Sequence, residues 1–230
     1  TIQPLNLEKM HVMVEQACDG LAGVSASQVE IQSGIQFYDG MTTADIQGIL
    51  VRSASDLIDL DAPNYQYVAS RLLLFGLRKN LYGRLHELPT LIDQITRGVD
   101  KGIYDADILK KYNKDEINTL DTIIEHNRDY LFTYAGMRQV TDKYLVQDRS
   151  TGEVYETPQF MYMLIAMTIF AGYPEENRLD YVTRYYNAIS KHKINIPTPI
   201  MGGVRTPIRQ FASCVLVDID DTLDSIFSSD

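Results

Sequence analysis

Two cysteines and four histidines supply the side chains that most often act as nucleophiles or metal ligands in this sequence. No histidine is paired at the spacing of a zinc site, so no metal site is predicted. Cys18 and Cys214 lie far apart in the chain. Cys214 acts as a redox thiol only if a second thiol lies near it. Its spacing alone favours the other interpretation, a small hydrophobic residue in a strand.

Two lysines and a threonine form a candidate anion site. A helix that begins near Thr43 offers free backbone N–H groups and the positive end of its dipole. The ammonium groups of Lys9 and Lys79 would add charge for a phosphate. The alternative is that both lysines lie on solvated helix faces.

An aspartate-rich segment near the C-terminus has two interpretations. Val215-Leu-Val-Asp218-Ile-Asp220-Asp221-Thr222-Leu223 resembles the first motif of haloacid-dehalogenase-like phosphatases. In that family Asp218 would attack phosphorus, Asp220 would act as acid and base, and magnesium would hold the phosphate. The alternative is a strand followed by acidic capping of a helix. A phosphatase therefore stays an alternative function, although that family also needs a lysine and an acidic loop further downstream.

The composition limits the partners and the compartment. Hydrophobic residues make up 45% and charged residues 23% of the 230 residues, which is typical of a globular protein. The net charge of −10 repels phosphate backbones, so we expect no nucleic-acid partner. The most apolar run, residues 160–171, is shorter than the roughly 20 residues that span a bilayer, so no membrane partner is expected. The few cysteines indicate a reducing compartment, the cytoplasm.

Capping residues and apolar spacing predict a mainly α-helical chain. Asn6 caps the first helix, residues 42–45 open a later one, and residues 61–63 cap a helix that ends at Gly83. The chain up to about Gly83 is therefore expected to form a compact four-helix unit. Further helices are predicted near residues 90–99, 105–112, 115–126 and 133–143, and after Pro158 and Pro174.

The remaining segments predict turns and strands. Residues 143–147 and 153–156 are expected to form a β-hairpin around residues 148–152. Three prolines and a Gly-Gly pair argue against a regular helix in residues 196–207. Residues 214–219 predict a buried strand, and Asp220-Asp221-Thr222 then caps a helix. A strand that leads into a helix opens an α/β unit, so we expect a piece of a larger enzyme.

Six motifs occur in the order found in one enzyme family, and the resemblance covers essentially the whole chain. The chain resembles the N-terminal part of the large (α) subunit of class I ribonucleotide reductases of the bacterial aerobic type. The motifs are Ile35-Gln-Phe-Tyr-Asp-Gly40, Asp61-Ala-Pro-Asn-Tyr-Gln-Tyr67, Lys143-Tyr-Leu-Val-Gln147, Pro197-Thr-Pro-Ile-Met201, Gly203-Val-Arg-Thr-Pro207 and Arg209-Gln-Phe-Ala-Ser-Cys214.

The resemblance implies three domains. Residues 1–83 would be an ATP-cone that binds ATP as activator and dATP as inhibitor, with a basic hairpin of the family preceding residue 1. Residues 84–207 would be a helical N-terminal domain, and residues 208–230 the first strand and helix of a ten-stranded α/β barrel. The residues that match nucleotide contacts of the cone are Asn6, Lys9, Thr43 and Lys79.

The resemblance also implies a substrate site and a second effector site. Thr198, Ser213 and Cys214 match substrate contacts, and Cys214 matches one of two thiols that reduce the ribose and become a disulfide. Residues 221–223 (Asp221, Thr222 and Leu223) match the start of the specificity site, which binds a deoxynucleoside triphosphate.

The family's activity is the reduction of ribonucleoside diphosphates to deoxyribonucleoside diphosphates for DNA synthesis. The resemblance implies an α homodimer, a metal-containing β subunit that supplies the radical, and thioredoxin or glutaredoxin as reductant. No cofactor is expected to be bound covalently in this chain. Because the radical cysteine should follow residue 230, we expect the chain to be catalytically incomplete.

Two further classes of protein stay open. A regulatory repressor with an ATP-cone would place a four-cysteine zinc ribbon before the cone, whereas only two cysteines occur here. A purely structural helical domain would bind no nucleotide.

Overall fold

The computed structural model describes residues 4–229. Residues 1–3 and 230, at the outer ends of the first and last predicted domains, lie outside the described residues. Within the described range the chain forms twelve α-helices, and its one pairing of extended backbone is an antiparallel bridge between Gln147 and Val154. The prediction of a mainly helical chain is therefore confirmed. No helix in this range is long and apolar enough to span a membrane.

The helices differ widely in length. Their bounds are α1 Leu7–Cys18, α2 Ala26–Gly34, α3 Thr43–Asp56, α4 Tyr65–Tyr82, α5 Leu91–Asp100, α6 Asp107–Lys111, α7 Lys114–Asp121, α8 Tyr134–Gln139, α9 Pro158–Phe170, α10 Glu175–Ser190, α11 Thr198–Gly203 and α12 Leu223–Ser229. A 3₁₀ turn spans His126–Leu131, and a π-helical turn, Val140–Tyr144, extends α8.

Helices α1 to α4 form the first helical group. The Asn6 side chain accepts a hydrogen bond of 2.9 Å from the Lys9 N–H, and Thr42 and Asp45 form a reciprocal capping box at the start of α3. Helix α4 packs against both α1 and α3. It begins at Tyr65 rather than at residues 61–63, because residues 62–64 form a turn whose Ala62 carbonyl accepts the Tyr65 N–H.

Helices α5 to α11 form the second helical group around α9. Residues 160–167 of α9 are all buried, so this helix presents no polar face and lies at the centre of the core. Helix α4 contributes Leu72 and Phe75 to the core of the first group and Leu74 to that of the second. The two groups therefore share α4.

Two predictions for the irregular segments need correction, and a third is not confirmed. The predicted hairpin is not confirmed: its two arms form only the single bridge described above, around a turn closed by the Gly152 N–H and the Asp148 carbonyl. Residues 196–207 contain a helix, α11, because Pro197 and Pro199 fall at its cap and first turn, where no N–H is needed. Residues 214–219 are exposed and irregular rather than a buried strand, because no other described segment pairs with them. The final helix, α12, does follow the predicted cap.

Candidate functional site

The residues predicted to bind an effector lie on three helices of the first group. Asn6 caps α1, Lys9 lies in its first turn, Thr43 is the first residue of α3, and Lys79 lies in the last turn of α4. All four are exposed. The predicted anion site thus falls where two helices begin and a third ends.

Contacts between α3 and α4 place Thr43 and Lys79 at one end of this group. The Gln47 side chain donates a 2.7 Å hydrogen bond to the Leu72 carbonyl, and a Cβ on Gly76 would lie 2.9 Å from its Cγ. Thr43 precedes Gln47 by about one turn, and Lys79 follows Gly76 by about one turn. Residues 57–64 join α3 to α4 by a short connection, so we infer that the two helices run antiparallel and that both residues lie on the same side of this contact.

Contacts at the opposite end orient α1. The Arg71 guanidinium donates to the carbonyl of Ala17 at 3.1 Å and to that of Asp19 at 2.6 Å. The last turn of α1 therefore lies beside the first half of α4. Since α1 also packs on α4, we infer that its first turn, with Asn6 and Lys9, lies toward the Lys79 end. We call this end, defined by Asn6, Lys9, Thr43 and Lys79, the cone end.

The chemistry of the cone end suits a polyphosphate. The first turns of α1 and α3 both have positive dipole ends there, and their remaining backbone N–H groups are those that the Asn6 and Thr42 caps do not bind. Two exposed ammonium groups, of Lys9 and Lys79, lie on the same end of the group. Neither forms an ion pair with any residue between 4 and 229.

Thr198, a predicted substrate contact, is exposed at the start of α11. Its hydroxyl lies 3.4 Å from the hydroxyl of Tyr144, the last residue of the π-helical turn. Tyr144 also lines a cavity of about 410 Å³ with Phe132, His192 and Met201. A π-helical turn is frequent beside functional sites, and here it places an aromatic hydroxyl next to a predicted substrate residue.

The other predicted residues near the C-terminus lie in exposed backbone. The Cys214 thiol is free, and its sulfur lies 3.8 Å from the Ser213 hydroxyl. Residues 221–223 are exposed as well, and the Thr222 hydroxyl accepts the Ser225 N–H at 3.2 Å as a cap of α12. Among the described contacts, none joins Ser213, Cys214 or residues 221–223 to Thr198.

The phosphatase interpretation lacks its structural requirement. Asp218 and Asp220 lie on exposed irregular backbone, whereas that chemistry needs them at the end of a buried strand. No group of three histidine, cysteine, aspartate or glutamate side chains within residues 4–229 is arranged to hold a metal ion.

A buried ion pair between Arg205 and Glu156 is not predicted by the sequence. Both side chains are fully buried, and the Arg205 Nε donates to both carboxylate oxygens at 3.0 Å. The Tyr104 hydroxyl donates to the same carboxylate at 2.8 Å, and burial with this negative neighbour raises the Tyr104 pKa. The sequence motif Gly203-Val-Arg-Thr-Pro207 includes Arg205, but it does not indicate that Glu156 is the partner of this arginine.

A second buried ion pair joins the two helical groups. Arg78 of α4 donates to the Asp129 carboxylate at 3.1 Å, and Gln159 of α9 donates to the other oxygen at 2.9 Å. Burial raises the pKa of Asp129 to about 6, although Arg78 acts in the opposite direction. Because Arg78 precedes Lys79, the helix that ends at the cone end is fixed to the second helical group.

Comparison with protein families gives a match for the second half of the chain. Residues 130–209 match the family described as ribonucleotide reductase, all-alpha domain. This range begins within the 3₁₀ turn and covers α8 to α11, with the π-helical turn, Thr198 and Arg205.

Similarity to individual proteins extends over nearly the whole chain. It is 52% identical to ribonucleoside-diphosphate reductase 1 subunit alpha of Escherichia coli (strain K12), over 96% of this chain and 29% of that protein. It is 50% identical to the alpha subunit of Haemophilus influenzae, over 98% of the chain and 30% of the relative. The alpha subunit of Enterobacteria phage T4 is 47% identical over 89% of the chain and 27% of its own length.

The chain is thus a homologue of ribonucleoside-diphosphate reductase alpha subunits and spans about 29% of the length of the relatives it matches. These comparisons give no support to the phosphatase alternative.

Proposed function

We propose that the chain is the effector-binding and substrate-supporting part of an alpha subunit that reduces ribonucleoside diphosphates to deoxyribonucleoside diphosphates. The observation that carries this proposal is the similarity of about half of all positions to alpha subunits over 96% of the chain. The chain does not complete the reaction alone, since it spans less than a third of those subunits.

Cys214 takes part in the redox step of this proposal. Its thiol and a second thiol, outside this chain, lose two electrons and two protons and become a disulfide. The ribose gains these and loses one hydroxyl group as water. The free thiol of Cys214 and its neighbour Ser213 support this role. Thioredoxin or glutaredoxin would then reduce the disulfide, and a metal-containing β subunit would supply the radical to an α homodimer in the cytoplasm.

The cone end is the proposed activity site for ATP and dATP. Two helix N-termini and the ammonium groups of Lys9 and Lys79 match a triphosphate, while Asn6 and Thr43 offer polar contacts. Asp221, Thr222 and Leu223 are proposed to begin the specificity site for a deoxynucleoside triphosphate. Domain limits at residues 1–83, 84–207 and 208–230 belong to the same proposal.

The redox role is tested by Cys214→Ser in the full-length subunit, assayed with its β subunit and a dithiol. We expect dithiol-dependent reduction of CDP to be lost, because serine cannot form the disulfide, while dATP binding stays unchanged. Cys18→Ser is the matched control, since Cys18 is half-buried in the first helical group. Normal turnover by Cys214→Ser would refute the redox assignment.

A further inference from the structure

The Arg205–Glu156 ion pair lies next to the elements that carry Thr198. Arg205 makes three kinds of contact at once: with the Glu156 carboxylate, with the Met201 carbonyl in α11 at 2.6 Å, and with the Tyr144 carbonyl at 3.0 Å. Tyr144 and Thr198 are the two residues whose hydroxyls meet. A single guanidinium therefore holds the end of the π-helical turn and the end of α11 together.

Glu156 holds this guanidinium from the other side. Its carboxylate accepts the Val146 N–H at 2.8 Å and the Tyr104 hydroxyl at 2.8 Å, and Gln94 of α5 donates to that hydroxyl at 2.8 Å. The carboxylate thus has direct partners from two segments besides Arg205, and Gln94 holds one of these partners in place. Since a buried carboxylate with this many partners has one favourable position, Arg205 is fixed as well.

The chain that leads from Arg205 toward Cys214 is anchored at the same place. The Arg205 carbonyl accepts the Asp105 N–H at 3.0 Å, and Arg209 forms an ion pair with Asp105. Thr198 precedes this anchored segment in the chain and Cys214 follows it. The segment held by Asp105 therefore lies between the two predicted substrate residues.

A buried ion pair is not by itself a strong source of stability, because desolvation offsets most of its attraction. Hydrophobic side chains would fill the same space with a smaller desolvation penalty. What they would not supply is a planar group with five N–H donors, which can bind a carboxylate and two carbonyls together.

We propose that Arg205, held by Glu156, is a positioning residue for ribonucleoside diphosphate binding: it fixes Tyr144, at the end of the π-helical turn, against α11, which carries Thr198. This inference rests on the proposed reductase function. Arg205 does not contact the substrate, and it acts through the placement of Thr198.

The test uses Arg205→Lys in the full-length subunit with its β subunit. Lysine retains the charge beside Glu156 but lacks the planar fork, so the ties to Met201 and Tyr144 are lost. We expect the KM for CDP to rise about tenfold while kcat changes little, since misplaced contacts weaken ground state and transition state alike. The affinity for dATP at the cone end should not change.

Arg178→Lys is the matched control. Arg178 also forms a two-contact pair with a carboxylate, Glu116, at 2.8 and 2.5 Å, but it joins α10 to α7 away from Thr198. A merely structural role for buried arginines would raise the KM in both variants equally, and this result would overturn the proposal. So would an unchanged KM in a folded Arg205→Lys protein.

If Arg205→Lys does not fold, Tyr144→Phe tests the proposal instead, because this substitution removes only the hydroxyl next to Thr198. We expect its KM for CDP to rise about two- to fivefold, as for the loss of one hydrogen bond. An unchanged KM there would overturn the proposal. Absence of CDP reduction by the unsubstituted enzyme would refute the reductase function itself, which separates the two failures.

Discussion

At the scale of residues, burial determines the ionisation of several side chains around Arg78. The His126 ring packs edge-on against Phe160, with 4.9 Å between ring centroids. Burial, and secondly the charge of Arg78, lowers the His126 pKa to about 4. The carboxyl of Asp129, next to the same guanidinium, has its pKa raised to about 6 by burial. These two groups therefore change protonation in opposite senses when the protein unfolds.

His126 is expected to make the protein less stable in mild acid. In the unfolded chain a histidine binds a proton below about pH 6.5, whereas folded His126 binds one only near pH 4, so lowering the pH between these values favours unfolding. Relative to His126→Gln, the natural protein should lose about 1–2 kcal/mol of its free energy of unfolding between pH 7.5 and pH 5.

Urea unfolding of both proteins at each pH measures this difference. The comparison with the variant is needed because Asp129 also titrates in this range. As the pH falls through 6, the Asp129 carboxylate binds a proton in the folded protein but not yet in the unfolded chain, so its contribution to stability rises. Identical pH dependence in the two proteins would contradict the assignment to His126.

At the scale of elements, short-range signals predicted helix starts well and strands poorly. The caps at Asn6 and Thr42 depend only on neighbouring residues, and the structure has both. A strand depends on a partner that can be distant in sequence, so residues 214–219 were assigned from their composition alone. Prolines predict the absence of a helix only where an interior N–H is needed, and in α11 they occupy the cap and the first turn instead.

Gly98 shows how closely α5 packs on the Tyr104 ring. A Cβ at this position would lie 2.1 Å from the ring, whose hydroxyl is already bound to Glu156. We expect Gly98→Ala to lower the free energy of unfolding by about 1–3 kcal/mol, because the buried ring cannot move away without cost. Thermal and urea unfolding would measure the change.

Gly48→Ala is the control for helix propensity. Gly48 also lies inside a helix, α3, but a Cβ there would meet only the end of the Arg52 side chain, at 3.8 Å. It should raise stability by up to about 1 kcal/mol, since alanine favours helices over glycine. Equal stability of the two variants would contradict the close packing described at Gly98.

At the scale of the whole molecule, α4 connects the proposed effector site to the rest of the chain. It supplies side chains to both cores, and the Arg78–Asp129 pair fixes it to the 3₁₀ turn and α9. Sequence periodicity placed α4 in the first helical unit but could not show this second contact, because Asp129 lies 51 positions away. The boundary proposed at residue 83 therefore lies next to a continuous packed region.

The candidate sites could be predicted from the sequence to different extents. The family resemblance predicts the residues of the cone end, and the structure places each of them at an end of α1, α3 or α4. The same resemblance predicts Cys214 and residues 221–223, which lie on exposed backbone in the structure. The roles of Glu156 and Arg205 cannot be predicted from neighbouring residues, because the two side chains pair with each other across 49 positions of the chain.

The central claim, that the cone end binds a nucleoside triphosphate, is tested most directly by calorimetric titration of dATP. The chain should carry its natural N-terminal sequence and be compared with Lys79→Ala and Lys110→Ala, an exposed helix lysine elsewhere. We expect saturable binding in the natural chain and in Lys110→Ala, and at least tenfold weaker binding in Lys79→Ala, because one charge-assisted phosphate contact is lost. Absence of binding in the natural chain, or equal binding in all three, would contradict the claim.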